Sequence, residues 1–360
     1  MNSIVASLLL RRTKDQVDAK TGKPIIVLPK QSKVLHKLKL SKDESEVYEL
    51  VQHYSKKVFT KFLDTRKDAA ERGHSTDEAE HNKAETYQMP ASLLGINVDK
   101  ILSMLGLHGS QSVVTQGCLL VLVLRLRQCC THLSLMCEEI DPDTCKNEGI
   151  ETPSIEDSFA NLSIDHGRDE DESSRPKEML PNFTSTKIVK LISCLNSIRK
   201  QSANGKVKCV IVSQWSRMLD VVAYHLRREG YKYDFITGSV VVKKRSDIVE
   251  AFNNDKYPEI ILLSLKAGGV GLNLIGGNHL FLLDQHWNPA LEEQASDRIY
   301  RVGQKNDVTV HRFLCTDTVE ERIAALQDKK KALAQSVLYG GKAAQKLTLQ
   351  DLKMIFGLMG

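Results

Sequence analysis

No apolar run in this 360-residue chain is long enough to cross a bilayer. The longest, Ile4–Leu10 and Cys118–Leu124, fall far short of the roughly 20 residues that a spanning helix needs. Nor does the amino terminus read as a signal peptide, because Arg11 and Arg12 follow the apolar run instead of preceding it. The eight cysteines contain no C-x-x-C pair, so the usual zinc spacings are missing. Cys129, Cys130, His132 and Cys137 lie close together, but adjacent cysteines on a helix point apart. No metal site is expected there, and buried, reduced thiols of an intracellular protein are. A phosphate loop of the form G-x-x-x-x-G-K-[ST] is also absent: the Gly-Lys pairs at 22–23, 205–206 and 341–342 lack both the upstream glycine and the following hydroxyl. Asp77-Glu78-Ala79-Glu80 imitates an acidic magnesium box, yet it sits in a polar stretch with no strand before it. The G-x-G-x-x-G order of a dinucleotide enzyme is missing as well.

What is present is an ordinary globular composition, 41% apolar and 26% charged, with an uneven charge distribution behind the net +5. Residues 138–182 hold 14 Asp/Glu against 4 Lys/Arg, which leaves the remainder at +15. A balance of that size favours a polyanion partner, a solvated surface being the plain alternative.

Hydrophobic periodicity divides the chain into two parts. Residues 1–63 read as a connection, a short helix over 1–14 and an extended segment through Leu40, followed by a helix opened by a Ser41/Glu44 capping box with Val47, Leu50, Val51, Tyr54, Val58 and Phe62 on one face. Residues 64–110 form a polar insertion, 111–137 an apolar accessory helix, and 138–182 an acidic segment without aliphatic pattern that is expected to be disordered. From 183 to 338 strands and helices alternate: strands at 208–214, 233–237, 259–264, 279–284 and 308–314, helices at 185–200, 216–229, 242–254, 289–301 and 318–337. Residues 339–360 are a tail. Continuous apolar strands alternating with helices predict an α/β parallel sheet covered on both faces, with functional loops at the carboxyl ends of the strands.

Two of those strand ends, and the helix after the second, carry unusual residues. The turn from Ser264 to Leu274 contains Lys266, Gly268, Gly269, Gly271 and Asn273; glycines let backbone N–H groups approach an anion, although a tight strand-to-helix turn needs them too. Asp284-Gln285-His286-Trp287-Asn288-Pro289 ends in a helix cap, with Trp287 placed either to stack on nucleic acid or to pack. In the helix that follows, Gln294, Arg298 and Arg301 are spaced i, i+4, i+7 and share a face, with Ala295, Ile299 and Val302 turned to the sheet. Two forked, permanently cationic guanidiniums side by side suit a transferring phosphate.

Together these residues resemble the second RecA-like lobe, the helicase C-terminal domain, of SNF2-family DNA-dependent ATPases. Val210–Trp215, Ile236–Arg245, Leu263–Leu274, Asp284–Pro289 and Gln294–Gln304 look like successive helicase motifs. LLLRRTK (8–14), VLPK (27–30), LRLRQCCTHLSL (124–135) and VHRFLCTDTVEERI (310–323) look like the segments that join and brace the lobes. The wording of 278–304 and of KLTLQDLKMIF is most similar to the Rad5/Rad16-like branch, in its transcription-termination type. Thr237 departs from the pattern, which commonly has Asp before Gly-Ser. The resemblance implies ATP and Mg2+ held mainly by a first lobe that is absent here, and a chain inactive alone. Arg298 and Arg301 would act as arginine fingers, Gln294 would orient the nucleotide or water, and Gly268, Gly269 and Gly271 would line the cleft. Gln214, Ser264, Lys266, Asn273 and Trp287 would touch duplex DNA. It further implies nuclear residence, no membrane, and an RNA polymerase II elongation complex as a partner. A truncated binding module without hydrolysis, or a repair translocase without a RING finger, are the alternatives.

Overall fold

A computed structural model describes residues 17–18, 22–23, 25–71, 116–137, 177, 180–201, 207–254, 257–265, 267, 271–286, 288–337 and 348–358. The chain divides into two units, one from residues 1–39 with 186–345 and one from 40–185 with 346–360.

In the first unit six strands form one parallel sheet: β1 (Gln31–Leu38), β2 (Cys209–Ser213), β3 (Tyr233–Ile236), β4 (Ile260–Ser264), β5 (His279–Leu282) and β6 (Val308–Cys315), in the order β1-β6-β5-β2-β4-β3. Strands β2 and β4 are buried at every position, as expected when helices cover both faces. The crossover helices in this unit include α3 (Thr186–Gln201), α4 (Ser216–Arg228) and α5 (Val242–Asn254), with α6 (Pro289–Ser296) and α7 (Val319–Val337) further on. Val210, Val212, Ile236, Phe252, Ile261, Leu263, Leu280, Leu282 and Ile299 share one apolar cluster. Register pairs Ser213 with Ser264, Ile236 with Leu263 and Val212 with Leu282. The carboxyl ends of these strands, and therefore the candidate loops, come out along one edge.

Strand β1 was not expected. Periodicity identifies five strands and treats the chain before Leu40 as an extended connection; instead Gln31–Leu38 adds to β6 over its full length. Its burial pattern is mixed, because an outer strand is covered on one side only. Lys33, Lys37 and Lys39 alternate outward there, a common protection for a sheet edge.

Across β1, β6 and β5 runs a chain of three imidazoles. The His36 Nε2 and His311 Nδ1 atoms share a hydrogen bond at 3.0 Å, and His279 Nδ1 and His311 Nε2 share another at 3.1 Å. Phe281 stacks on His311 at 4.4 Å and Phe313 meets His36 edge-on. Burial, then the neighbouring His279, His36 and Lys190 charges, push His311 down to about 3. His36 is lowered by burial and Lys190, and His279 by burial. A histidine depressed below its ordinary 6.5 takes up more protons unfolded than folded, so its stabilisation is complete above that value and is lost as pH falls from 6.5 toward 3. The unfolding free energy of this unit is expected to fall between pH 7.5 and pH 5.5 by on the order of 1 kcal/mol, read as a lower urea midpoint. An unchanged midpoint would contradict the neutral triad.

A second buried polar feature fixes α3 and α7 on the sheet. The Lys187 ammonium lies 2.5 Å from Glu320 Oε1 with neither side chain exposed beyond 2%. It also donates to the Leu283 carbonyl at 2.7 Å, while Glu320 Oε2 accepts from the Cys315 N–H at 2.8 Å.

The second unit is helical: α1 (Lys42–Glu71), α2 (Gln116–Thr131), a 3-10 turn at Leu133–Cys137, and α8 (Leu349–Phe356). The capping box forms as expected, Ser41 N–H donating to Glu44 Oε2 at 2.9 Å and Glu44 N–H to Ser41 Oγ at 3.4 Å. Helix α1 continues through Glu71, into the stretch assigned above to the polar insertion from residue 64. Its charged residues are good helix formers, and the loss of apolar periodicity does not end a helix already nucleated. The 72–110 remainder of that insertion, residues 111–115 of the expected accessory helix and most of the acidic segment lie outside the described residues. Residues 349–356 of the tail form a helix with its own Thr348/Asp351 capping box, and Phe356 packs on Phe59 at 4.9 Å. His132 uses both ring nitrogens structurally, with Ser134 Oγ at 2.7 Å and the Phe183 carbonyl at 2.9 Å.

Candidate functional site

At the carboxyl edge of the sheet one carboxylate organises two strand ends. Asp284 is 3% exposed; it accepts from the Ser213 hydroxyl and, at 3.1 Å, from the Gln214 N–H. Ser213 Oγ in turn accepts from the Trp215 N–H at 3.0 Å. The loops after β2 and β5 are thereby fixed to each other by charge-assisted bonds. Sequence reasoning assigned Asp284 no task; an acidic residue ending an apolar strand was the available signal.

Helix α6 starts as its sequence dictates, with Asn288 Oδ1 accepting from the Ala290 N–H at 3.1 Å and Pro289 in the first turn. Its buried side is locked by Glu292. That carboxylate accepts from the His286 N–H at 3.1 Å and from Gln327 Nε2 at 2.6 Å, and pairs with Arg312 at 3.0 Å. Arg312 also donates to Gln327 Oε1 at 2.8 Å. Arg312 and Gln327 come from β6 and α7, too distant in sequence for a spacing argument to find them.

The helix does not run to residue 301 as the spacing predicts. It ends at Ser296, with Asp297 as its C-cap. Beyond it the bonds tighten to three-residue turns, Arg298 N–H to Ala295 O and Ile299 N–H to Ser296 O, both at 3.2 Å. Ser296 and Asp297 are weak helix formers that compete for backbone bonds. The tighter winding breaks the i, i+4, i+7 register. Gln294 therefore sits exposed on the helix while Arg298 and Arg301 follow on turns. Val302, expected on the sheet side, is 68% exposed; Ala295 and Ile299 are buried.

Both arginine positions are tied to the glycine-bearing turn after β4, Arg301 through its side chain and Arg298 through its backbone carbonyl. Arg301 donates to the Leu272 carbonyl at 3.3 Å and to the Gly271 carbonyl at 3.5 Å. The Arg298 carbonyl accepts from the Leu274 N–H at 2.9 Å. Arg298 is 9% exposed. Burial lowers its proton affinity, as does the Arg301 guanidinium beside it, against an opposing pull from Asp297. Two cations held near each other and partly desolvated make a place where an anion is favoured. Gln304 closes the segment, donating to the Gly277 and Ile299 carbonyls at 2.8 and 3.1 Å and accepting from the Lys305 and Asn306 N–H groups.

Of the expected DNA contacts, Gln214 and Ser264 are buried and Asn273 is exposed. The Asn273 carbonyl accepts from Asn253 Nδ2 at 2.8 Å. Lys266, Gly268, Gly269 and Trp287 lie outside the described residues. Among the described residues no group of three or more His, Cys, Asp or Glu is arranged to hold a metal ion.

Residues 186–303, which include Gln214, Ser264, Asn273, Asp284, Gln294, Arg298 and Arg301, match the helicase conserved C-terminal domain. The chain thus carries a helicase C-terminal domain, and its homologues are SNF2-family proteins. Over 395 residues it is 39% identical to Transcription termination factor 2 of Drosophila melanogaster, a likeness covering 99% of this chain and 36% of that protein. DNA repair protein RAD5B of Arabidopsis thaliana is 42% identical over 172 residues, 48% of this chain and 13% of that one. The Sulfolobus solfataricus SWI2/SNF2 ATPase core in complex with dsDNA superposes with a TM-score of 0.51 at 19% identity, over 98% of this chain and 55% of that chain. The shared architecture is the RecA-like C-terminal lobe of SNF2 ATPases. This chain spans little more than a third of the length of the fly relative, 36%.

Proposed function

We propose that this unit is the arginine-donating lobe of a DNA-dependent ATPase that moves along duplex DNA. One observation carries the reading: Arg298 and Arg301, adjacent and partly desolvated, are tied to the turn after β4 at the edge where the strands end. ATP with Mg2+ supplies the transferring phosphoryl group and is held chiefly by a companion lobe. Arg298 and Arg301 neutralise charge that develops on that group, and Gln294 orients it from the exposed side of α6. Asn273, on the same turn that Arg301 grips, faces duplex DNA, so DNA contact and arginine position share one loop. Gln214 and Ser264 act from beneath this edge by shaping it. Lobe closure and opening then step the protein along the duplex.

The finer reading is a nuclear factor that uses this movement to displace RNA polymerase II and its transcript from the template. It rests on the likeness to the fly termination factor running along 99% of the chain, whereas the likeness to the repair protein is confined to 48%. The test is a stalled polymerase II complex on immobilised template, given the protein carrying both lobes. ATP-dependent transcript release is expected, and the chain of residues 1–360 by itself is expected to release none and to hydrolyse no ATP above background. Hydrolysis by the chain alone would remove the need for a companion lobe.

A further inference from the structure

The arginines stand on short turns past the end of α6, so something other than helix rigidity must hold them. Within the lobe the Leu274 N–H, the Gly271 and Leu272 carbonyls and Gln304 do part of this. Two further bonds come from the far end of the sequence. Tyr300, which lies between the two arginines, donates its hydroxyl to the Pro29 carbonyl at 3.0 Å. Gln31 Nε2 donates to Ser296 Oγ, on the last residue of α6, at 2.9 Å. A third bond, Lys30 N–H to Asp307 Oδ1 at 2.9 Å, fixes the same strap just beyond the arginine turn. The strap runs into β1, of which Gln31 is the first residue and whose full-length pairing with β6 gives it a firm base.

We infer that residues 29–31 are a positioning strap for the arginine turn, and that Tyr300 and Gln31 are positioning residues for phosphoryl transfer. The inference rests on the arginine-donor reading above. Displacements of about 1 Å in a group that meets the transition state can cost ~10²-fold in rate. Losing one of several tethers is expected to cost roughly 10-fold. Neither side chain carries a charge to the nucleotide, so ATP binding itself is unaffected. Chain that moves with a companion lobe and enters through residue 29 would pull directly on the arginine turn.

The test uses the protein carrying both lobes and steady-state ATP turnover with saturating duplex DNA. Tyr300→Phe removes one oxygen and little packing; Gln31→Ala and Ser296→Ala remove the second bond from either side. Expected are a fall in kcat of roughly 10-fold in each variant, an ATP KM within twofold of wild type, and equal effects for Gln31→Ala and Ser296→Ala. A wild-type kcat in Tyr300→Phe and Gln31→Ala overturns the inference. So does a fall in kcat that comes with a raised KM and a lower melting temperature, which marks a merely structural bond. Arg298→Ala is measured alongside: if it retains turnover the arginine-donor reading fails, whereas if it is dead and Tyr300→Phe is normal only the strap fails.

Discussion

Replacing Arg298 or Arg301 by alanine is expected to reduce DNA-stimulated ATP turnover by ~10³–10⁵, the range found when an arginine finger is withdrawn from phosphoryl transfer. Duplex DNA affinity should be largely unchanged, because Arg298 is only 9% exposed and Arg301 is already engaged by the Gly271 and Leu272 carbonyls. Lysine is not an adequate substitute at either place. It keeps the charge, but it has neither the planar fork nor the weak hydration that let a guanidinium work half-buried. Turnover with and without duplex DNA, together with binding titrations at fixed salt, separates the outcomes. Loss of DNA affinity with little loss of turnover would recast both side chains as backbone contacts and remove the proposed role.

Lys187→Met is expected to destabilise the sheet unit by about 3–5 kcal/mol. The substitution leaves the Glu320 carboxylate 2% exposed with its counter-ion gone, and the Leu283 carbonyl without the donor at 2.7 Å. Taking the charge off both sides, in Lys187→Met with Glu320→Gln, should recover a substantial part, since an apolar and a neutral polar group are tolerated where a lone ion is not. Denaturant midpoints of the three proteins measure this. A single variant as stable as wild type would mean the pair is solvated in solution. The position matters for function as well as stability: Leu283 is the residue before Asp284, whose carboxylate ties the two strand ends at the candidate site.

Periodicity and turn chemistry made most of the sheet unit legible. Helix 242–254 has the bounds expected, and β2 to β6 fall within a residue or two, because buried parallel strands are apolar throughout and glycines and prolines punctuate them. The Asn288/Pro289 start of α6 was legible for the same local reason. Its end was not: the helix stops at Ser296 and Asp297, and the Arg298 carbonyl just beyond is taken by the Leu274 N–H, a contact no spacing reveals. Strand β1 was missed because half its positions are exposed, two of them lysines, and its partner β6 lies about 275 residues away, as the His36–His311 separation shows. The roles of Asp284, Glu292, Gln327 and Gln31 were invisible for one shared reason. Each is a polar residue whose meaning lies in partners brought by the fold.

Because the outermost strand of the sheet is encoded ahead of the helical unit and the rest of the sheet after it, the lobe is assembled from two separated stretches of chain. A polypeptide begun at residue 183, where the alternating pattern starts, would leave β6 with a naked row of amide and carbonyl groups and would expose His311 to water. Such an open rim invites strand-to-strand aggregation. Any self-sufficient version of this lobe must therefore bring Gln31–Leu38 with it, covalently or as an added peptide.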